Sequence, residues 1–214
     1  MERLVPPLQN PLGGATHLIR LEDGLRLLEK FRQESVVVAC EENSSPWTDV
    51  SSDKNLDIPF PDAVGKGISL GLGIALARPD KKVMILDSDG GLLTNLGALA
   101  TVAGKEPQNL VHIVMEDGIY AYRGGVPIPN IGKLSFKNIA SGAGYTSVFE
   151  FEDLEDFAIQ IEEVLNAPGP VFVCLKVLPD FDALANFPDY DGGEGLRKAI
   201  EAVRDELAKS TTED

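Results

Sequence analysis

Short, unbroken apolar runs alternate with segments of helical periodicity along most of the chain, and few folds accept that pattern. The runs Ser35–Cys40, Val83–Leu86, Leu110–Met115, Thr146–Phe151 and Val171–Val177 are rich in β-branched and aromatic residues, which suits strands. Between them lie helical segments: LEDGLRLLEKFRQ from Leu21, then Gly65–Ala77, Thr94–Ala103, Phe136–Ala143, Leu154–Leu165 and Glu194–Ala208. A strand with one wet face alternates apolar and polar residues; one covered on both faces does not. Continuous apolar strands alternating with helices predict an α/β fold, a doubly wound, mostly parallel sheet with helices on both faces. Such sheets bind ligands beyond the carboxyl ends of their strands. The segments to inspect therefore follow Cys40, Leu86, Met115 and Val177.

The remaining segments read as connections. Residues 1–16, with three prolines and two glycines, read as an extended arm. Residues 17–209 read as a single domain, and 210–214 as a frayed tail. Two long loops are expected at 41–61 and 116–134, and long loops in compact domains are often functional. A third, acidic and aromatic, covers 178–193. A length of 214 residues suits one domain with a sizeable core.

The net charge of −15 argues against nucleic acid and anionic membranes as partners. An anionic ligand must then be held by a local site. No apolar run approaches the roughly 20 residues of a membrane span, and the first residues lack a signal-peptide pattern, so the expected location is cytoplasmic. The two cysteines, Cys40 and Cys174, lie in apolar runs and read as buried reduced thiols.

Chemistry-bearing residues follow two of the strands. After VMIL comes Asp87-Ser88-Asp89-Gly90-Gly91, leading into a helix. Glycines let a backbone approach a phosphate closely, and a helix start offers free N–H groups. The Asp89 carboxylate suits a divalent metal that neutralises phosphate charge. A plain strand-to-helix turn uses the same residue types, so this segment alone leaves both readings open. After LVHIVM comes Glu116-Asp117-Gly118-Ile119-Tyr120, with Asp117 placed 28 residues beyond Asp89. If the two strands are neighbours, a right-handed crossover ends them side by side and both carboxylates can meet one cation. Two carboxylates with diphosphate oxygens and a carbonyl suit magnesium.

This arrangement resembles the diphosphate-binding domain of thiamine-diphosphate-dependent enzymes. Their motif is Gly-Asp-Gly followed, one helix and one strand later, by an Asn. The resemblance covers residues 62–177 and is nearest to the sulfopyruvate decarboxylase β subunit and phosphonopyruvate decarboxylase family. It rests on DAVGKGISLGLGIALARPDKKVMILDSDGGLLTNLGALATVAGKEPQNLVHIVMEDGIYAYRGG taken as a whole. It implies thiamine diphosphate and Mg²⁺ as cofactors. Asp89, Asp117 and the main-chain carbonyl of Ile119 are then the metal ligands. Gly90, Gly91 and Leu92 offer N–H groups to the diphosphate, with Ser88 and Tyr120 beside it and Asn95 opening the next helix. Ala63, Val64 and Gly65 lie near the aminopyrimidine.

The chain departs from the family pattern at three places. Ser88 replaces the first Gly, Asp117 replaces the usual Asn, and Arg123-Gly124-Gly125-Val126 stands where Thr-Gly-Gly-Gln is frequent. Arg123 is a candidate for a substrate's carboxylate, sulfonate or phosphonate, and equally a solvated loop arginine. The family activates its cofactor with a Glu from a separate pyrimidine-binding domain, for which this chain has no room. The resemblance therefore implies a pyrimidine-domain partner subunit in a hetero-oligomer, α₂β₂ or larger. The implied reaction is decarboxylation of a small 2-oxo acid by the cofactor's ylid. A thiamine-diphosphate carboligase and a non-catalytic scaffold subunit with a degenerate cofactor motif are the alternatives.

Other residues carry open or plain readings. Glu41, Glu42, Asn43 and Ser44 follow the first strand at its ligand-binding end; Glu41 reads as a substrate-side residue or as part of a solvated loop. Trp47 is expected against a partner chain. Gly71-Leu72-Gly73 reads as close helix packing rather than a dinucleotide fingerprint. His112 reads as a core histidine and His17 as part of the arm. Asp180, Asp182 and Asp189 read as a solvated acidic face.

Overall fold

The computed structural model describes residues 18–62, 64–180 and 193–209. The expected arm and tail lie outside them, as do Ala63, His17, Asp182 and Asp189. The described helices are α1 (Leu21–Phe31), α2 (Ser44–Val50), α3 (Gly67–Ala77), α4 (Asp89–Thr94), α5 (Gly97–Lys105), α6 (Phe136–Ala143), α7 (Leu154–Asn166) and α8 (Glu194–Lys209). The strands are β1 (Val36–Cys40), β2 (Asp57–Phe60), β3 (Val83–Ser88), β4 (Leu110–Glu116), β5 (Ile119–Tyr120), β6 (Val126–Pro127), β7 (Ser147–Phe151) and β8 (Val171–Lys176). Six of them form one sheet in the order β2-β1-β3-β4-β8-β7, with every pairing parallel.

Period-two strand geometry explains the unbroken apolar runs. Val36, Val38, Val83, Ile85, Val114 and Phe172 point into one core cluster. Their neighbours Val37, Ala39, Met84, Leu86, Ile113 and Val173 point into the other. The first cluster packs under α3, α5, α6 and α8, the second under α1, α2 and α7. Gly71 lets α3 approach β3, since a β-carbon there would lie 2.5 Å from Ile85 Cδ1. This is the helix packing expected of that glycine.

Three expectations need correction. Residues 41–61 are not a loop but carry α2 and the edge strand β2. β2 is short and holds Pro59, which an edge tolerates, so no strand period announced it. The helix expected at Thr94–Ala103 begins only at Gly97, as α5, because Asn95 (φ −144, ψ 46) ends the preceding α4 instead of opening the next helix. Trp47 is fully buried in its own chain and does not face a partner. Its Nε1–H donates to Asp57 Oδ1 at 2.9 Å, and the Arg32 guanidinium stacks 5.4 Å from its ring centroid. Arg32 Nη1 also bonds Asp57 Oδ1 at 2.8 Å. This buried polar knot ties α1 and α2 to β2.

Cys40 and Cys174 are buried free thiols. His112 is a core histidine, within 3.2 Å of both Asp87 Oδ2 and the Tyr145 hydroxyl. Among the described residues no helix is long and apolar enough to cross a membrane.

Candidate functional site

The sheet order fixes where a site can form. From β1 the chain goes first to β2 on one side and then to β3 on the other, so the carboxyl ends of β1 and β3 flank the switch point where a crevice opens. β4 lies next to β3, with Ser88 paired to Met115. Glu41, Asp89 and Asp117 each follow the last residues of one of these strands and are buried.

Asp89 and Asp117 come together as the spacing required. Asp89 Oδ2 accepts the Gly118 N–H at 2.8 Å, and its Oδ1 accepts the Gly90 N–H at 2.6 Å. Asp117 Oδ1 accepts the Ile119 N–H at 2.9 Å. Burial, then the charge of Asp117, pushes the Asp89 carboxyl well above its ordinary range. Burial pushes Asp117 up to about 7. Two neighbouring buried acids, both held above their ordinary range by burial, are a site that a divalent cation relieves. The Ile119 carbonyl oxygen belongs to the same wall, 3.4 Å from where a β-carbon on Gly90 would sit. Each carboxylate oxygen keeps lone-pair capacity beyond the N–H it accepts. This all-oxygen set fits a hard cation.

A cavity of about 290 Å³ adjoins the pair, lined among others by Val64, Ser88, Gly90, Gly91, Tyr120 and Arg123. The two glycines leave space that neighbouring side chains occupy in this arrangement. A β-carbon on Gly90 would lie 2.8 Å from Tyr120 Cδ1, and one on Gly91 would overlap both carboxylate oxygens of Glu41. Gly65 takes a left-handed φ of +69°, with its carbonyl held by Asn95 Nδ2 at 2.7 Å. The cavity already cradles a carboxyl group. Glu41 Oε1 accepts the Gly65 N–H at 3.1 Å, and Oε2 accepts the Ser88 hydroxyl. The chemistry of this cradle and of the acid pair fits a metal-bound diphosphate.

The structure thus gathers Val64, Gly65, Ser88, Asp89, Gly90, Gly91, Asp117, Ile119 and Tyr120 around one place. Leu92 is buried in the core as well. The Gly90 and Gly91 N–H groups are engaged within the turn, by Asp89 Oδ1 and by Ser88 Oγ at 2.9 Å. Arg123 lies on this cavity and is exposed. Of the open readings for Glu41, burial rules out a solvated loop: it is 3% exposed with φ +53°. Burial and the charge of Asp87 raise its carboxyl to about 7, against partial relief from Ser88 and Gly65.

Asn43 and Asp87 were not legible as site residues. Asn43 Nδ2 donates to the Asp87 carbonyl at 3.1 Å, and Asp87 Oδ1 accepts the Ser88 N–H at 3.0 Å, so the two fix the β1–β3 crevice from below. The only local signal was their position at strand ends. A second cavity of about 340 Å³ lies on the other side of Glu41, lined in part by Glu42, Asn43, Asp49, Met115 and Asp117.

Comparison with known proteins agrees with this geometry. The family model "Thiamine pyrophosphate enzyme, C-terminal TPP binding domain" matches residues 60–175. Phosphonopyruvate decarboxylase of Streptomyces viridochromogenes is 31% identical over 154 residues, covering 72% of this chain and 38% of that protein. Sulfopyruvate decarboxylase subunit beta of Methanothermobacter thermautotrophicus is 32% identical over 142 residues, covering 66% of this chain and 72% of that subunit. A thiamine diphosphate-dependent 4-hydroxybenzoylformate decarboxylase from Rhodococcus jostii RHA1 has the same fold, with a TM-score of 0.64 at 20% identity over 82% of this chain and 36% of its own. The chain spans about two fifths of the length of the phosphonopyruvate decarboxylase it matches.

Proposed function

The chain belongs to the thiamine pyrophosphate enzymes, as their C-terminal TPP-binding domain, and from that premise we propose that it holds the magnesium-bound diphosphate of thiamine diphosphate as a subunit of a 2-oxo acid decarboxylase. The observation that carries this reading is the meeting of Asp89 and Asp117 at the ends of two neighbouring strands, with Gly118 N–H on Asp89. Asp89, Asp117 and the Ile119 carbonyl would hold the cation. Ser88 and Gly65 would bond the phosphate oxygens, and the bare faces of Gly90 and Gly91 would admit them. Val64 and Tyr120 would flank the organic part. Thiamine diphosphate, when bound, supplies the electron sink for loss of CO₂ from a 2-oxo acid.

The substrate class is a small 2-oxo acid with a second anionic group. Relatives named phosphonopyruvate and sulfopyruvate decarboxylase support this, and Arg123 on the cavity is a suitable cation for such a group. A partner chain would supply the pyrimidine-binding domain and its activating Glu. Support comes from relatives named as β subunits and from exposed apolar residues near the site, Val64 at 38% and Val126 at 54%. A second reading, a subunit that keeps the fold without binding cofactor tightly, is favoured by the Glu41 carboxylate lying in the cradle.

Calorimetric titration of thiamine diphosphate with Mg²⁺ into the pure chain, with and without a candidate partner, separates the two. The first reading expects binding that requires Mg²⁺, strengthens with the partner and disappears in Asp89→Ala. Absence of binding with an authentic partner would overturn it in favour of the second.

A further inference from the structure

We propose that Glu41 is an internal competitor for the diphosphate, a carboxylate that fills the phosphate cradle and must swing out before the ligand can enter. The inference rests on the cofactor reading above and adds a residue that sets affinity at that site.

Three independent features support it. The first is what Glu41 bonds: the Gly65 N–H through Oε1 and the Ser88 hydroxyl through Oε2. These are two donors facing a glycine-floored cavity, and a phosphate oxygen would need the same donors. The second is the space it takes. Its carboxylate lies on the open face of Gly91, where even a β-carbon would collide with it. Both groups cannot occupy that place. The third is the backbone. Glu41 sits at φ +53° immediately after β1, in the left-handed region that a long side chain rarely adopts. This conformation turns the side chain back over the cradle instead of letting it leave with the chain.

Glu41 also has somewhere to go. It lines both the 290 Å³ cavity and the neighbouring 340 Å³ cavity, so it forms the wall between them. A side-chain rotation moves the carboxylate from one to the other without unfolding β1. The competent, open form is then a fraction of the population. A ligand's apparent affinity falls by that fraction, and removing the competitor restores it. Charge acts in the same direction. Glu41 adds to an already acidic environment made by Asp87, Glu42 and Asp117, so any anion entering beside it meets repulsion until the carboxylate withdraws.

The test uses inorganic pyrophosphate with saturating Mg²⁺, titrated calorimetrically into the full chain as wild type, Glu41→Gly and Glu41→Ala. Glycine relieves the left-handed backbone, and alanine removes the carboxylate while keeping an L side chain, so the two share no folding liability; a urea midpoint verifies that each is folded. The expected result is a dissociation constant lowered about tenfold or more in both variants, as for a competitor that holds the site closed more than roughly nine-tenths of the time. Affinity equal to wild type within twofold, or weaker, would overturn the competitor role and leave the cofactor reading standing. Failure of all three proteins to bind would also overturn the competitor role, since a cleared cradle would still not take the anion, and would leave the cofactor reading to the titration with the partner.

Discussion

Replacing Glu41 by Gln is expected to remove a pH dependence of stability that the wild-type fold carries. The carboxyl is 3% exposed and sits at about 7 in the folded chain instead of its ordinary 4.5, chiefly through burial. A folded state with the higher pKa binds the proton more tightly than the unfolded chain does. Its stabilising contribution is therefore complete below pH 4.5, declines as the pH rises towards 7, and is gone above it. At about 1.4 kcal/mol per tenfold change in acid strength, the displacement amounts to roughly 3 kcal/mol. With a urea dependence of about 2 kcal/mol per molar, that is a midpoint difference of roughly 1.5 M. Trp47, the one tryptophan of the chain, is fully buried and reports unfolding by fluorescence. Urea titrations in EDTA from pH 4.5 to 8.5 should show Glu41→Gln gaining on the wild type by about this amount across the range. Asp89 and Asp117, raised by burial and by groups other than Glu41, slope both proteins alike and cancel in the comparison, while Glu42, held up in part by the charge of Glu41, adds to the wild-type slope. Two curves that stay parallel within about 0.5 kcal/mol would refute the reasoning, since Glu41 would then ionise in the fold as easily as in water.

Further substitutions probe the site and its supports. In EDTA, Asp89→Asn trades the ionisation cost of a buried acid against one lost acceptor, since an amide has one oxygen where the carboxylate accepts N–H groups on two. The variant should lose the stabilisation by Mg²⁺ and thiamine diphosphate, which for wild type at a hundredfold excess over Kd is about 2.7 kcal/mol; an equal thermal shift in both proteins would contradict the metal-ligand role. Gly71→Ala should be destabilising by about 1 kcal/mol, because overpacking against Ile85 at 2.5 Å outweighs the helix propensity gained. Gly73→Ala, which meets nothing within 4 Å, should stabilise by roughly 0.5–1 kcal/mol in the same urea assay. Arg32→Met should cost about 3–5 kcal/mol by leaving Asp57 buried without its cation, and a loss under 1 kcal/mol in urea would show the knot around Trp47 to be dispensable.

Much of the fold was legible because its signals are local. An apolar run without alternation implies a strand covered on both faces, and Val36 to Cys40, each fully buried, meets that implication residue by residue. Spacing allowed Asp89 and Asp117 to be paired on the condition that their strands are neighbours, because one helix and one strand between parallel neighbours return the chain to the same end of the sheet, and the family resemblance implied their joint role. Ser88, Gly90 and Gly91 were legible with them as part of one strand-to-helix turn.

What the sequence could not give depends on contacts between distant segments. β2 was hidden because its burial comes from α8 and from the Arg32–Asp57–Trp47 knot, whose members lie 10 to 25 residues apart. The same knot draws Trp47 inward, where an isolated tryptophan in a polar segment had suggested a partner surface. Glu41 is the clearest case. Residue type and position after a strand are equally compatible with a solvated acid. Only the left-handed backbone at its α-carbon and the donors brought from Gly65 and Ser88, 24 and 47 residues away, turn its carboxylate into the cradle. Periodicity and spacing determined which strands form and which carboxylates can meet. The three-dimensional packing decided the strand order, the crevice between β1 and β3, and which acid fills it, because burial and hydrogen-bond donors arrive from parts of the chain that share no local pattern.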